Sequence, residues 1–283
     1  MPLPLNPRVV VTGAGNGLGR AFCLELKRRG ARIIVSDVDL QAARETAALL
    51  GEIEAHAVRC DVSVLPDVRM LAATSNELLG GVDLLINNAG VAVGGELGGG
   101  SFDDWRWIIG VNLWGVIHGC EVFLAEFRKA GRGHILNVAS AAGLLSLPQM
   151  GPYNVTKAGV VALSETLYSE LGRGPIGVTV SCPMFFRTDI ARRGRLADAS
   201  VRELAEALMS DSRLTATDVA RLSLAGVDAG QLYVVPHAKG RWLWRFKRLL
   251  PRLFHALAKR LIQHEAKRLG VATAPPLLGT NPH

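Results

Sequence analysis

The feature that most narrows the fold is Val9-Val10-Val11-Thr12 running directly into Gly13-Ala14-Gly15-Asn16-Gly17-Leu18-Gly19. A β-branched run of this length reads as a strand, and the amphipathic stretch Gly17–Arg29 after it reads as a helix. Glycines at such a junction permit a tight turn and let the backbone come close to a pyrophosphate. The helix start beyond them offers unpaired N–H groups and the positive end of the helix dipole. The next strand pattern, Arg32–Ser36, ends at Asp37. An acid about 20 residues past the glycines is placed to accept a hydrogen bond from a ribose 2′-hydroxyl. The pattern predicts a dinucleotide site built from Gly13, Gly15, Asn16, Gly17, Leu18, Gly19 and Asp37. A purely structural turn is the plain alternative.

Asp37 also bears on which dinucleotide. A carboxylate there accepts from ribose hydroxyls and repels a 2′-phosphate. An NADP site would be expected to place Arg or Lys nearby, whereas Asn16 and Val38 occupy the neighbouring positions and Arg20 is the nearest cation. NAD(H) is therefore expected over NADP(H).

The strand–helix alternation continues along the chain. Strand patterns fall at Val9–Thr12, Arg32–Ser36, Ala55–Cys60, Leu84–Asn87, His134–Val138, Gly177–Cys182 and Leu232–Val235. Helical patterns fall at Gly17–Arg29, Leu40–Leu50, Pro66–Leu79, Val111–Ala130, Pro152–Leu171 and Val201–Met209. Repeated βαβ units with right-handed crossovers predict an α/β fold: one Rossmann-type, doubly wound parallel sheet with helices on both faces. Gly94–Gly100 reads as a flexible loop. The Arg-rich segment from about Phe185 to Ser212 breaks the alternation and is a candidate lid. Residues 1–236 are expected to form the nucleotide-binding catalytic domain and 237–283 a helical extension and tail.

Charge is concentrated at the end of the chain. Between Lys239 and Arg268 stand ten Lys/Arg against the single acid Glu265, a charge of +9 that leaves −2 for the rest of the net +7. Nucleic-acid binding is not expected, because the excess lies in the tail and no recognition motif accompanies it. The four cysteines are widely spaced, which points to reduced thiols in a cytoplasmic protein. The start, MPLPLNPRVVVTG, lacks a secretory-signal pattern, and no uninterrupted apolar run approaches the ~20 residues of a membrane span.

The chemistry-bearing pair lies in Tyr153-Asn154-Val155-Thr156-Lys157. Four residues apart on a helix, the two side chains share a face. A free tyrosine, with a pKa of about 10, is a poor base near neutrality, and a neighbouring ammonium favours its phenolate. The pair is thus a proton-transfer candidate, with a packed tyrosine beside a solvated lysine as the alternative. Ser140 follows the strand pattern HILNVAS and is placed either to polarise a substrate oxygen or to cap a helix. His118 reads as a packed histidine and His134 as a surface one. His56 and Cys60 are isolated, so no catalytic metal is expected.

In order and spacing, TGAGNGLG at Thr12–Gly19, Asp61-Val62, Asn87-Asn88-Ala89-Gly90, and Asn112, Ser140, Tyr153 and Lys157 resemble the short-chain dehydrogenase/reductase family, over about residues 8–235. The resemblance implies an NAD-dependent oxidoreductase interconverting an alcohol and a ketone or aldehyde. It implies that Tyr153 is the general acid/base, that Lys157 holds the nicotinamide ribose, and that Ser140 binds the substrate oxygen. Asn112 would anchor a water relay. It also implies that Asp61 approaches the adenine, that Val62, Asn88, Ala89, Gly90 and Pro183 line the cofactor, and that Thr188 meets its carboxamide. Homodimers or homotetramers come from the same source.

One departure is plain: Met184 stands after Pro183 where the family pattern has glycine. Met184, Phe185 and Phe186 make that rim apolar, which favours a lipophilic substrate such as a steroid, retinoid or long-chain alcohol. An NADPH-dependent carbonyl reductase, an NAD-responsive binding protein and a membrane-surface scaffold are the competing readings.

The extension, at residues 241–262, reads RWLWRFKRLLPRLFHALAKRLI. Arg241, Arg245, Arg248, Arg252 and Lys259 follow helical spacing, with Leu250, Leu253, Phe254, Leu257 and Leu261 on another face and Pro251 at a helix start or kink. Attachment to an anionic membrane surface and packing against the domain, the substrate pocket or another subunit all fit that pattern.

Overall fold

The computed structural model describes residues 3–271 except Glu52 and Asp198, and Lys259 by its backbone alone. The part of the expected tail at 272–283 lies outside the described residues. The first half of the chain comprises β1 (Arg8–Thr12), α1 (Gly17–Lys27), β2 (Arg32–Asp37), α2 (Leu40–Leu50), β3 (Ala55–Arg59), α3 (Leu65–Leu79) and β4 (Leu84–Asn87). A two-residue strand β5 (Val93–Gly94), α4 (Phe102–Ile109), a π-helical turn (Gly110–Trp114) and α5 (Gly115–Ala130) follow. Then come β6 (Gly133–Val138), α6 (Ala141–Leu145), α7 (Gly151–Leu171) and β7 (Ile176–Ser181). The remainder holds α8 (Ile190–Arg193), β8 (Arg195–Leu196), α9 (Ala199–Ser210), α10 (Ala216–Asp228), β9 (Tyr233–Val234), α11 (Ala238–Leu249) and α12 (Pro251–Arg268).

Seven strands pair in parallel in the order β3-β2-β1-β4-β6-β7-β9. Each lies within one residue of its expected limits, because both sheet faces are covered and the strands are almost continuously apolar. Val9, Val11, Ile33, Val35 and Ile86 face one helix layer with Phe22, Leu26 and Leu224. Val10, Ile34, Leu85 and Ile135 face the other, with Phe123, Phe127 and Val160. Leu243, Phe254 and Ala258 of the extension belong to this second layer.

Register brings the carboxyl ends of the strands together. Thr12 pairs with Ser36 and Asn87 with Asn137, so Thr12, Asp37, Asn87 and Val138 end along one edge. The chain order reverses between β1 and β4, and in such sheets ligands bind in the crevice at that reversal.

Among the described residues, four helices lie outside the expected set: α4, α6, α8 and α10. α10 starts at a capping box in which Thr215 and Asp218 satisfy each other's backbone N–H, and α4 starts at Ser101, whose hydroxyl accepts from Asp103 and Asp104. The run Phe102–Ala130 is long and apolar enough, by length and composition alone, to cross a membrane, although charged residues such as Arg106 and Glu121 interrupt it. It is instead a layer helix, with Val116, Cys120, Phe123 and Phe127 buried. All four cysteines are buried and free.

His134 corrects its expected surface position. It is 3% exposed, its Nε2 lies 2.9 Å from the Thr179 hydroxyl, and burial lowers its pKa to about 4. Gly177 opposite makes the room, since a Cβ there would stand 2.4 Å from the ring. The extension also packs differently from the expected stripe. Phe254, Ala258 and Ala266 are buried, an i+4 row, while Leu250, Leu253 and Leu261 are exposed. Pro251 starts the second helix. Several cations face inward: Arg241 donates to the carbonyls of Val235 and Pro236, and Lys247 to that of Leu144. Arg268 pairs with Asp211 and Glu265, and Lys239 with Glu265.

Candidate active site

A cavity of about 480 Å³ opens at the carboxyl edge of the sheet. One end is lined by Gly13, Asn16, Gly17, Leu18, Asp37, Val38, Asp61, Val62, Asn88, Ala89 and Gly90, and the other by Ser140, Tyr153, Lys157, Pro183, Met184, Phe185 and Thr188. Asn112, Gly15 and Gly19 stand just behind this lining.

The glycine loop is as close-packed as a phosphate cradle requires. Gly13 has φ +61°, and a Cβ on it would stand 2.6 Å from the Ala89 Cα. At Gly15 a Cβ would meet the Asp37 carboxylate at 2.8 Å, and at Gly19 the Gly13 carbonyl at 2.1 Å. Asp37 Oδ2 accepts the Gly15 N–H at 2.8 Å, and Oδ1 accepts that of Asp39 at 3.0 Å. The carboxylate is therefore fixed at the strand end beside the exposed Val38. Arg20 is engaged elsewhere, donating to the Gly15 carbonyl and the Thr46 hydroxyl. Among the described residues, the cations in the cavity lining are Lys157, beside Tyr153, and Arg193 of α8, while Asn16 and Val38 neighbour Asp37.

Asn88 donates its side-chain amide to the carbonyls of Thr12 and Gly13, tying the second motif to the first. Thr12 is a site residue that the sequence reading passed over. Its hydroxyl accepts the N–H groups of Asn88 and Ala89 and donates to the Ile86 carbonyl. It stands first in TGAGNGLG, and that position was its signal. Asp61 turns onto Ser63, accepting its N–H and hydroxyl. Thr188 accepts the Ile190 N–H and stands about 4 Å from where a Gly17 Cβ would be.

Asn112 lies in the π-helical turn, fully buried. Its Oδ1 accepts the Val91 N–H at 2.8 Å and its amide donates to the Val91 carbonyl at 2.9 Å. Lys157, 3% exposed, donates to the Val138 carbonyl at 3.0 Å, and its Nζ is 5.8 Å from the centre of the Tyr153 ring. Both side chains border Gly90, where a Cβ would make ordinary contacts at 3.4 Å with Asn112 Oδ1 and 3.5 Å with Lys157 Nζ. Of the two roles the sequence allowed Ser140, the structure shows the helix cap. Ser140 caps α6 by accepting the Ala142 N–H, and its hydroxyl also bonds Tyr153 and the Pro183 carbonyl.

The expected lowering of the Tyr153 pKa by Lys157 is not what this geometry gives. Burial pushes Tyr153 up to about 12, and the Ser140 hydrogen bond only partly opposes it. Burial likewise lowers Lys157 to about 8. A dry site disfavours both charged forms, and at this separation the mutual attraction does not overcome that cost.

The far wall of the cavity is apolar. Trp107, Leu145, Leu147, Met184 and Phe185 meet Leu204, Leu208 and Met209 of the segment that breaks the alternation, and Ile262 of α12 closes one side. Val93 and Gly94 pair with Arg195 and Leu196, so the segment is stitched to the domain by a small sheet. Among the described residues, no three His, Cys, Asp or Glu side chains converge as metal ligands.

The family model for short chain dehydrogenases matches residues 7–198. A short chain dehydrogenase/reductase from Burkholderia phymatum, solved in complex with NAD, is 35% identical with a TM-score of 0.80, covering 96% of this chain and 98% of its own. The meso-2,3-butanediol dehydrogenase of Serratia marcescens is 35% identical over 185 residues, 65% of this chain and 73% of that protein. A short-chain dehydrogenase from Sphingobium yanoikuyae, solved with NADPH, is 26% identical with a TM-score of 0.72, covering 83% of this chain and 91% of its own.

Proposed function

The chain belongs to the short chain dehydrogenase family of oxidoreductases, and on that footing we propose that it interconverts a lipophilic alcohol and its ketone or aldehyde with NAD(H). The observation that carries the reading is one continuous cavity, with the Asp37 carboxylate and glycine loop at one end and Tyr153 and Ser140 at the other. The cradle fits a dinucleotide, because side chains at Gly13, Gly15 or Gly19 would fill it. The carboxylate at Asp37 and the engaged Arg20 favour NAD over NADP, as does the NAD bound by the Burkholderia relative. Bound NAD(H) supplies the hydride acceptor or donor and, when oxidised, a positive charge.

The chain's own residues handle the proton. Ser140, whose one hydroxyl proton rests on the Pro183 carbonyl, turns it to the substrate oxygen when that oxygen enters, and Tyr153 gives that oxygen a proton in reduction or removes one in oxidation. With its pKa near 12, Tyr153 is protonated across neutral pH in the free protein, which is the proton-donating state. Lys157, charged below about pH 8, favours the phenolate when the reaction runs as oxidation. The apolar wall of Leu204, Leu208, Met209 and Ile262 excludes water and favours a long or ring-rich apolar substrate. Residues 1–236 are the catalytic unit of this reading, and 237–271 supply part of the pocket wall.

A screen of alcohols of increasing chain length with NAD⁺, followed by NADH absorbance, tests this. Turnover should rise with apolar size, and Tyr153→Phe should lose about 10²-fold or more in kcat while its melting point still rises with NAD⁺. Full turnover in Tyr153→Phe would overturn it.

Exposure on the extension supports one further element. Trp242 is 64% exposed, and Leu249, Leu250 and Leu253 lie at the elbow of α11 and α12 among the exposed Arg245, Arg248 and Arg252. Such a rim fits an anionic membrane surface. Co-sedimentation with phosphatidylglycerol vesicles but not phosphatidylcholine ones is the expected result; equal behaviour with both removes this element.

A further inference from the structure

The peptide group between Pro183 and Met184 is held from both sides. Its carbonyl oxygen accepts the Ala141 N–H at 2.8 Å and the Ser140 hydroxyl at 3.3 Å. Its N–H donates to Nδ1 of His237 at 3.2 Å. In a trans peptide the two groups point in opposite directions from one rigid plane, so fixing both fixes the rotation of that plane. His237 immediately precedes α11, and its other ring nitrogen lies 3.5 Å from the Ser212 hydroxyl, just past α9. Met184 leans on the same helix: a Cβ on Gly240 would stand 3.0 Å from its Cγ and 3.1 Å from its Sδ. The methionine that departs from the expected glycine is thus accommodated by a glycine of the extension.

We propose that His237 is a positioning residue for Ser140, setting the plane of the Pro183–Met184 peptide from the C-terminal extension and, through the Pro183 carbonyl, the direction of the Ser140 hydroxyl. The same peptide begins the Met184–Phe185 wall of the cavity, so His237 also holds the substrate end of the site in register. Accepting the Met184 N–H requires Nδ1 to be unprotonated, which puts the ring proton on Nε2, toward Ser212. Burial lowers the His237 pKa; a backbone hydrogen bond to Phe185 opposes it and nearby Arg241 adds to it. Without the acceptor, a partly buried N–H loses its partner and the plane is free to turn, and the Ser140 hydroxyl loses its fixed acceptor.

Two substitutions of similar size separate this role from mere packing. In His237→Asn the side-chain oxygen lies near the position of Nδ1, whereas in His237→Gln it lies near that of Nε2. The full-length wild type and both variants are compared by steady-state kinetics and by hydrogen exchange at the Met184 amide. The expected result is near-wild-type kcat and slow exchange in His237→Asn. His237→Gln should lose about tenfold in kcat, with KM for NAD⁺ changed less than about twofold, and exchange about tenfold faster, the equivalent of one lost hydrogen bond. Wild-type kcat and exchange in His237→Gln, or equal losses in both variants, would overturn the proposal. The kinetic readout rests on the proposed reaction and the exchange readout does not. A wild type that turns over no alcohol therefore sinks that reaction, while the Met184 exchange comparison still decides the role of His237.

Discussion

Lys157 should make this protein less stable at neutral pH than a variant without it, relative to their stabilities at alkaline pH. Its amine is 3% exposed, and burial lowers its pKa from the ordinary 10.5 to about 8. Between those values the unfolded chain carries the proton and the folded chain does not. The unfolded state thus binds more protons, and stability rises with pH across the window from about 8 to 10.5. A tenfold difference in proton affinity between the two states is worth about 1.4 kcal/mol, so the contribution of Lys157 should grow by roughly 2 to 3 kcal/mol between pH 7 and pH 10. Lys157→Met keeps a long apolar stem and removes the titration. Urea unfolding of the cofactor-free wild type and variant, at half-unit pH steps, isolates the effect in the difference between the two curves, since the other titrating groups are common to both. The wild type should gain on the variant as pH rises. Parallel curves would refute the reasoning, and a wild type that loses ground would reverse its sign.

Other perturbations test other parts of the frame. Asp37→Ala removes the carboxylate that Gly15 holds in place; kcat/KM for NAD⁺ should fall roughly tenfold to a hundredfold, the value of a charge-assisted hydrogen bond, with a smaller change for NADP⁺. Equal falls for both cofactors would show that Asp37 supports the loop only. Phe254→Ala empties a fully buried site where the ring meets Phe246 edge-on; unfolding free energy should drop by about 3–5 kcal/mol, measured by urea titration. A drop below about 1 kcal/mol would mean that the extension is only loosely attached.

What the sequence made legible was local. The turn from β1 into α1, and the acid that ends β2, depend on residues adjacent in the chain and on strand register, which hydrophobic patterning sets. The meeting of Ser140, Tyr153 and Lys157 followed from motif spacing, and Asn112 joins them through Val91 and Gly90. Properties that depend on what packs against what were not legible. Leu250, Leu253, Phe254, Leu257 and Leu261 read as one apolar face, yet Phe254 is buried in a row with Ala258 and Ala266 while Leu250, Leu253 and Leu261 are exposed, because an apolar helix with two candidate rows is oriented by its neighbour. The direction in which the Tyr153 pKa moves escapes the sequence for a related reason: spacing reveals the neighbouring ammonium but not the depth of burial. His237 carries no motif, and its bond to Met184 spans 53 residues of chain.

The π-helical turn at Gly110–Trp114 has an implication for how this segment tolerates changes in length. Such a turn holds one residue more than the α-helix it interrupts. Deleting a single residue there would let Phe102–Ala130 close as an unbroken α-helix with every rung regular. The flanking stretch would then rotate by about 100° and slide by about 1.5 Å relative to the rest. Asn112 would swing away from the Val91 backbone that it holds at both amide ends. The more regular helix would thus be the less useful one, and the number of residues in this segment is constrained as firmly as their identity. The exposed turn around Gly98–Gly100, where an added side chain at Gly98 or Gly100 meets nothing within 4 Å, is by contrast a place for insertions.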